Sequence, residues 1–438
     1  MSITAIVAIA LIILVVTLII GIPIPFAFAT TFIFLTATLG FSSTFQLSAG
    51  YGQLNSVILL AIPLFVLAGG IMEKGKIGAA LIGFVQCFVG RFKSGLGTVA
   101  VVTCAIFGAI SGSASATLSC IGSIMEPRMT EAGYDKGYSA ALLAAACPLG
   151  LLIPPSSAQI LYAWSSNQSV LACFLATVVP GIILAILLCI VNYFLSKNMK
   201  IKVSEKQTRS EWAFTFKHST VNAVPALFMP VIILGGIYSG LMTPTESAAI
   251  SVLYAVPIAM FVYKGMNLRD LKDALIDTST TTGVIMVMFF MVMILSRILT
   301  MEDVPNMIAD GLLSITTNKY LILLMVNVFM IIIGMLMDDV SGILLCTPIL
   351  LPIVTAIGVN PIHFAAILGV NLGMGNITPP TAPMLYLSGR ICNAKINKML
   401  SPIMMFIIFA WVPTLIITTY FPAVALTIPK MVMPKLFM

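Results

Sequence analysis

Long apolar runs separated by short polar stretches divide the chain, and their lengths predict most of its elements. Runs near 3–20, 22–39 and 54–72 are each long enough for a helix to cross a bilayer, which takes about 20 apolar residues. In 73–93 a short apolar middle is flanked by Glu73, Lys74, Lys76, Arg91 and Lys93, the pattern of a helix lying along a membrane surface. From 94 to 125 the chain is apolar again, but Gly, Ser, Ala and Thr interrupt it over 108–117. Each limb then makes only about 20 Å of helix, too short to span, so a re-entrant hairpin is predicted with its tip at 111–113. A charged loop at 126–136 leads to a span over 137–165, broken at Pro154-Pro155. Further crossings are predicted at 169–195, 221–240 and 246–263, with the long polar segment 196–218 between the first two. Thr243, Pro244 and Glu246 form a helix start, with a cap, a proline in the first turn and an acid nearby.

The second half replays the first. A crossing at 278–299 is followed by a surface helix over 301–318 carrying Glu302, Asp303 and Asp310. A hairpin over 320–350 has its tip at 337–341, a span over 362–390 is broken at Pro379-Pro380, and 402–421 is the last crossing. A constant shift of 225 residues places Pro127 on Pro352, Thr130 on Thr355 and Gly133 on Gly358. It also places Ala140-Ala141 on Ala365-Ala366, Leu143 on Leu368, Gly150 on Gly375 and Pro154-Pro155 on Pro379-Pro380. Coincidences at one offset mark an internal duplication. The expected organisation is scaffold helices over 1–72, a first repeat over 73–165, scaffold helices with the polar loop over 166–277, a second repeat over 278–391 and a C-terminal helix within 392–438.

Composition fixes the class: 60% of residues are apolar and 8% charged, with a mean hydropathy of +1.10, far beyond a soluble domain. No ionisable Asp, Glu, Lys, Arg or His precedes Glu73. The first run lacks a basic leader and is followed at once by another, so it reads as a retained span. The net charge of +7 could suit a polyanion, but in a membrane protein the positions of the charges matter more, and no nucleic acid is expected. Counting crossings from an outside N-terminus puts 73–93, 126–136, 196–218, 264–272 and 390–398 on one face, with 18 of the 22 Lys and Arg residues. That asymmetry names the face cytoplasmic and makes the two hairpins enter from opposite sides. The expected fold is an all-α polytopic membrane protein with inverted repeats, two re-entrant hairpins and two proline-broken helices. The eight scattered cysteines contain no C-x-x-C pair and support neither a metal site nor a disulfide frame.

Broken helices and re-entrant tips leave backbone groups unpaired at membrane depth, which is tolerable where they are buried in protein or line a wet cavity. Half-helix N-termini attract anions, while freed carbonyls with Ser or Thr hydroxyls suit Na⁺. Candidate Na⁺ ligands are therefore Gly108, Ser111, Ser113, Ser115 and Pro154 at one tip, and Asp338, Ser341, Thr378 and Pro379 at the other. Candidate substrate contacts are Ser111, Ser113, Ser156, Arg297, Asp338 and Thr381. Arg297 stands in an almost wholly apolar run, where a cation is a functional hypothesis by default. Plainer readings are that Gly and Ser only allow close packing, that Asp338 and Asp339 cap a helix, and that Arg297 snorkels toward Glu302 and Asp303. His218 lies in the polar loop, and His363 is the repeat mate of Tyr138.

At these motifs the sequence resembles the large membrane (M) subunits of TRAP transporters, the tripartite ATP-independent periplasmic transporters. The matching stretches are A-I-P-L-F-V-L-A-G at 61–69, I-S-G-S at 110–113, I-P-P-S at 153–156 and G-G-I-Y-S-G-L-M-T-P-T-E-S-A at 235–248. G-M-L-M-D at 334–338, T-P-I-L-L-P at 347–352 and I-T-P-P at 377–380 complete the set. The resemblance implies an elevator mechanism, Na⁺ coupling, a location in the bacterial inner membrane, a small membrane (Q) subunit and a periplasmic substrate-binding (P) protein that delivers an organic acid. With no Q-like segment before Ile3, Q is expected as a separate chain. The chain departs from the family pattern at Thr117, where many members carry an acid, and at Asp339, where many carry proline. Arg297 and the hydroxyl-rich tips favour a polyhydroxylated acid such as sialic acid over a C4-dicarboxylate. Alternatives are a stand-alone Na⁺/anion symporter or exchanger of the same hairpin plan, and an intramembrane serine hydrolase using Ser111 or Ser113. The hydrolase would need His363 as its base, and it lacks a clean nucleophile elbow.

Overall fold

The computed structural model describes residues 3–90, 94–202 and 209–437, and every regular element among them is helical. Among the described residues eight helices are long and apolar enough to cross a membrane, two of them the limbs Lys319–Leu336 and Asp339–Ala356, or nine if the bent pair Lys136–Leu152 and Ser157–Ser165 counts as one; Ile3–Ile19 and Ile24–Leu39, expected as crossings, are shorter. The first hairpin is Gly95–Ser111 followed, after the tip, by a second limb from Ala114 to Glu131. Gly112 makes the turn at φ +60°, a left-handed conformation that suits glycine. The second hairpin is Lys319–Leu336 and Asp339–Ala356. The first broken helix comprises Lys136–Ala146, Leu149–Leu152 and Ser157–Ser165; the second comprises Pro361–Gly375 and Pro383–Ile391.

The duplication is physical as well as sequential. Gly133 and Gly358 both end their helices at positive φ, and Asp135 and Asn360 then cap the two broken helices. Both Pro-Pro bonds are cis. In each repeat a glycine of the hairpin lies against a glycine of the broken helix. A Cβ on Gly108 would meet Gly150 Cα at 2.5 Å, and one on Gly334 would meet Gly375 Cα at 3.0 Å. The repeat mates Tyr138 and His363 also play matching parts. Tyr138 Oη donates to Asn192 Oδ1 at 2.9 Å, and Asn192 Nδ2 donates to the Ser94 carbonyl and Thr98 Oγ1, tying the base of the first hairpin to Val170–Ser196. His363 Nε2 meets the Thr418 carbonyl at 2.7 Å, beside a buried chain from Asn371 through Asn327 to Thr419.

The two broken helices pack on each other at the centre. Gln159 Nε2 donates to the Ala365 carbonyl at 3.4 Å, Tyr162 Oη to the Pro361 carbonyl at 2.5 Å, and Ser388 Oγ to the Ala140 carbonyl at 2.6 Å. Buried Trp411 closes this core by donating to the Ala145 carbonyl at 3.2 Å.

Contacts between distant loops sort the chain into two faces. On the basic face Lys202 N donates to the Ala132 carbonyl, Gly137 packs on Lys398, and Lys74 pairs with Asp277 at 2.7 Å. On the opposite face Thr245 donates to the Val57 carbonyl, Lys319 to the Gly358 carbonyl, and Tyr420 to the Tyr320 carbonyl. The first hairpin starts at Ser94, at the Asn192 end of its neighbour and so on the basic face. The second starts at Lys319, on the other. The hairpins are inverted.

Several boundaries differ from expectation for local reasons. Ser43–Leu54 is a helix of 12 residues, too short to span and too polar to show as an apolar run, started by Ser42 Oγ, which accepts from Phe45 N. The expected surface helix 73–93 is Ile77–Val89; Arg91 and Lys93 lie outside the described residues. The expected loop 126–131 is helical, as are 209–218 and most of 264–272, because Asn267 and Asp270 form a capping box at the start of Leu268–Met301. Positions 203–208 of the polar segment lie outside the described residues. The capping box at Thr243 and Glu246 is formed, and a further helix, Pro422–Val432, follows the last crossing.

Candidate functional site: two hairpin tips against two broken helices

At the first tip, small residues let backbone approach backbone, and hydroxyls fill the space. Thr117 Oγ1 and Ser111 Oγ both donate to the Ser113 carbonyl, at 2.8 and 3.3 Å, and lie 3.1 Å from each other. Two of these oxygens face Gly150, where an added Cβ would be 3.3 Å from both Ser113 O and Thr117 Oγ1. Across the break, Ser157 donates to the Gly112 carbonyl through both N, at 3.3 Å, and Oγ, at 3.0 Å. Ser156 Oγ is buried and has no partner among the described residues, and the Pro154 carbonyl accepts no hydrogen bond from them. Ser113 Oγ and Ser115 Oγ are 3.1 Å apart on the exposed side of the tip. Of the first-tip candidates, Gly108, Ser111, Ser113, Pro154 and Ser156 are thus brought together, with Ser115 at the rim.

The second tip is more polar. Asp338 caps Asp339–Ala356, accepting from Val340 N at 3.2 Å and from Ser341 Oγ, so capping describes Asp338 correctly. Ser341 Oγ also lies 2.7 Å from Met288 Sδ of Leu268–Met301. Thr381 Oγ1 donates to the Met335 carbonyl, and Thr378 Oγ1 to the Met374 carbonyl at 2.6 Å. With its amide turned to donate, Asn376 reaches Met337 O at 3.1 Å and Gly334 O at 3.2 Å. The Pro379 carbonyl accepts no hydrogen bond from the described residues. Asp338, Ser341, Thr378, Pro379 and Thr381 therefore form a second cluster.

Arg297 belongs to neither cluster. It is nine residues beyond Met288 on one helix, about 13 Å along the axis at 1.5 Å per residue. Among the described residues it forms no ion pair with Glu302 or Asp303; its guanidinium instead covers the Phe45 ring at 4.9 Å. His363 hydrogen-bonds away from Ser111 and Ser113, which leaves a serine nucleophile without its base. Gly150, Asn376, Gly375 and Thr117 were not among the candidate site residues; the repeat offset had paired Gly150 with Gly375, and Thr117 had stood out only as a departure from the family pattern, while nothing in the sequence marked Asn376.

Residues 7–424 match the family model described as the tripartite ATP-independent periplasmic transporter, DctM component. The chain belongs to this TRAP transporter family. It is 38% identical over 374 residues to the isethionate TRAP transporter permease protein DctMQ of Oleidesulfovibrio alaskensis, covering 85% of this chain but 58% of that protein's length. The C4-dicarboxylate large permease DctM of Pseudomonas aeruginosa is 36% identical, with 85% and 86% covered. The sialic acid large permease SiaM of Vibrio cholerae is 32% identical, with 91% and 92% covered. Among solved structures, the YdaH transporter of Alcanivorax borkumensis matches with a TM-score of 0.62 at 15% identity, over 85% of this chain and 86% of that one. That likeness concerns the fold alone. The TRAP permease relatives are transporters, so the chain is a multi-pass membrane transport protein and the hydrolase reading is set aside.

Proposed function

We propose that this TRAP permease chain imports a small organic anion in symport with Na⁺, using the two tips as its ion and substrate sites. The observation that carries the reading is the first tip, where the Ser113 carbonyl and the Ser111 and Thr117 hydroxyls lie close together and, at the facing break in the helix, the buried Ser156 hydroxyl and the Pro154 carbonyl have no hydrogen-bond partner among the described residues. A small hard cation satisfies such oxygens where water is scarce. The second tip supplies the Asp338 carboxylate, Ser341 and Thr378 in the mirror position. Substrate then sits between the tips, against Ser111, Ser113, Ser156, Asp338 and Thr381. The relatives' names supply the class of cargo: isethionate, C4-dicarboxylates and sialic acid are all organic anions.

In this reading the repeats carry both tips as one transport unit that slides against the scaffold helices in elevator fashion. The basic face is cytoplasmic, and the membrane is the bacterial inner membrane. A small Q-type subunit and a periplasmic binding protein complete the system; the fused name DctMQ in one relative supports the first of these. The test is uptake of isethionate, succinate and sialic acid into liposomes, with and without a Na⁺ gradient and with and without the two partners. Na⁺-independent uptake at an unchanged maximum rate overturns the coupling. Robust uptake by this chain alone overturns the need for partners and favours the stand-alone symporter.

A further inference from the structure

Arg297 opens into a cavity of about 320 Å³ that the tips do not share. It lies where Ser43–Leu54, the last turns of Leu268–Met301 and the end of Ser157–Ser165 meet, with Pro348 of the second hairpin's limb Asp339–Ala356 on its wall. Its polar lining comes from Gln53, Ser165, Asn167, Ser296, Arg297 and Thr300, and Trp164 forms another wall. Ser296, Arg297 and Thr300 present themselves together because positions three and four apart share a helix face. Among the described residues no acidic residue and no second cation lines the space. Arg297 Nε is buried without a hydrogen-bond partner among the described residues, and the Phe45 ring covers only one face of the guanidinium. A guanidinium offers five N–H donors in a planar fork that matches a carboxylate, and an unmatched cation at membrane depth is costly. The open rim at Gln53, Asn167 and Thr300 leads away from the basic face, toward the side that carries Lys319.

We infer that this cavity is a second anion site, in which the Arg297 fork holds the carboxylate of a small soluble organic acid before the acid reaches the tips. The volume is at the lower end for ligand pockets, about 300 Å³ and upward, and suits an acid of a few carbons. Neutral amides and hydroxyls around the fork orient the carboxylate without adding charge, which leaves the anion free to move on. That the acid is cargo rests on the transport reading; the existence of the site does not.

The test is equilibrium binding of succinate to the purified full chain in nanodiscs of phosphatidylcholine, read as the part of the intrinsic fluorescence change that Trp164→Phe removes. The expected result is a saturable Trp164 signal in Na⁺-free buffer. Arg297→Met should raise the apparent Kd at least about tenfold, Gln53→Leu several-fold, and Asp338→Asn should leave it unchanged. Gel filtration confirms that each variant is folded, and Gln53→Leu keeps the test decisive if Arg297→Met is not. Absence of a Trp164 signal overturns the site, as does a signal lost equally in Asp338→Asn. A signal given by phosphatidylglycerol in the discs but not by succinate also overturns it, since the oxyanion is then a lipid phosphate. If uptake proves Na⁺-independent while the Trp164 signal persists, the coupling reading fails and the site stands.

Discussion

Replacing Gly108 by alanine puts one methyl group into the tightest backbone contact of the first repeat. The new Cβ would lie 2.5 Å from Gly150 Cα and 2.9 Å from Gly150 N. Ordinary carbon contacts begin near 3.5 Å, and both obstacles are backbone, so the hairpin and the broken helix must part by about 1 Å. That movement stretches the bond from Ser157 Oγ to the Gly112 carbonyl from 3.0 Å to about 4 Å, beyond hydrogen-bond reach. Overpacking of this kind costs about 1–3 kcal/mol and the lost bond about 1 kcal/mol, against about 0.8 kcal/mol regained from alanine's better helix propensity. Gly375→Ala, with Gly334 Cα at 2.6 Å, makes the same perturbation in the second repeat. Gly235→Ala is the control, since nothing lies within 4 Å of its added Cβ. Thermal unfolding of the three variants in detergent should show Tm lowered by several degrees for Gly108→Ala and Gly375→Ala and unchanged or raised for Gly235→Ala. Uptake in liposomes should fall at least about tenfold in the first two, because both tips move off their broken helices. Gly108→Ala with the Tm and uptake of Gly235→Ala would refute the close-contact account of the tip.

Asp338→Asn keeps a good helix cap and removes the charge, so Tm should hold while the Na⁺ dependence of uptake weakens; Asp338→Ala should lose about 1 kcal/mol of stability as well. Asn192→Leu removes the side-chain bonds to the Ser94 carbonyl, Thr98 Oγ1 and Tyr138 Oη, which keep only their partners in Thr98 and the residue-192 carbonyl, and thermal unfolding should show a loss of about 1–2 kcal/mol. Thr243→Ala should cost about 1 kcal/mol, and combining it with Glu246→Ala should add less than the two losses summed, because the two side chains form one capping box. In a background whose eight native cysteines are replaced by alanine or serine, single cysteines introduced as Lys395→Cys and Asn318→Cys should react with a membrane-impermeant maleimide from opposite sides in oriented vesicles. Labelling of both from one side would contradict the inverted arrangement.

Sequence by itself determined the features that depend on neighbouring residues. Apolar runs became helices, most of them of bilayer length although Ile3–Ile19 and Ile24–Leu39 are shorter, Gly112 and the 337–338 step became tips, and Pro154-Pro155 and Pro379-Pro380 became breaks, because proline and glycine act on their own stretch of backbone. The 225-residue offset paired Gly133 with Gly358, and both glycines are left-handed in the structure. Where a short polar stretch continued a helix, as in Ser43–Leu54 and the opening turns of Leu268–Met301, apolar length was silent and side-chain capping decided the boundary. Tertiary structure alone decided who meets whom. Gly108 and Gly150 are 42 residues apart and touch because neither carries a Cβ; Asn376 reaches the second tip because its helix ends there. The fate of Arg297 shows the division most plainly. Its apolar surroundings announced an unmatched cation, but only packing could show that Met288, about 13 Å back along the same helix, is what touches the second tip, while Arg297 lies over Phe45 and beside a cavity built partly from a helix too polar to be noticed. Charge and apolar length are properties of a segment, whereas a cavity belongs to elements brought together from across the chain.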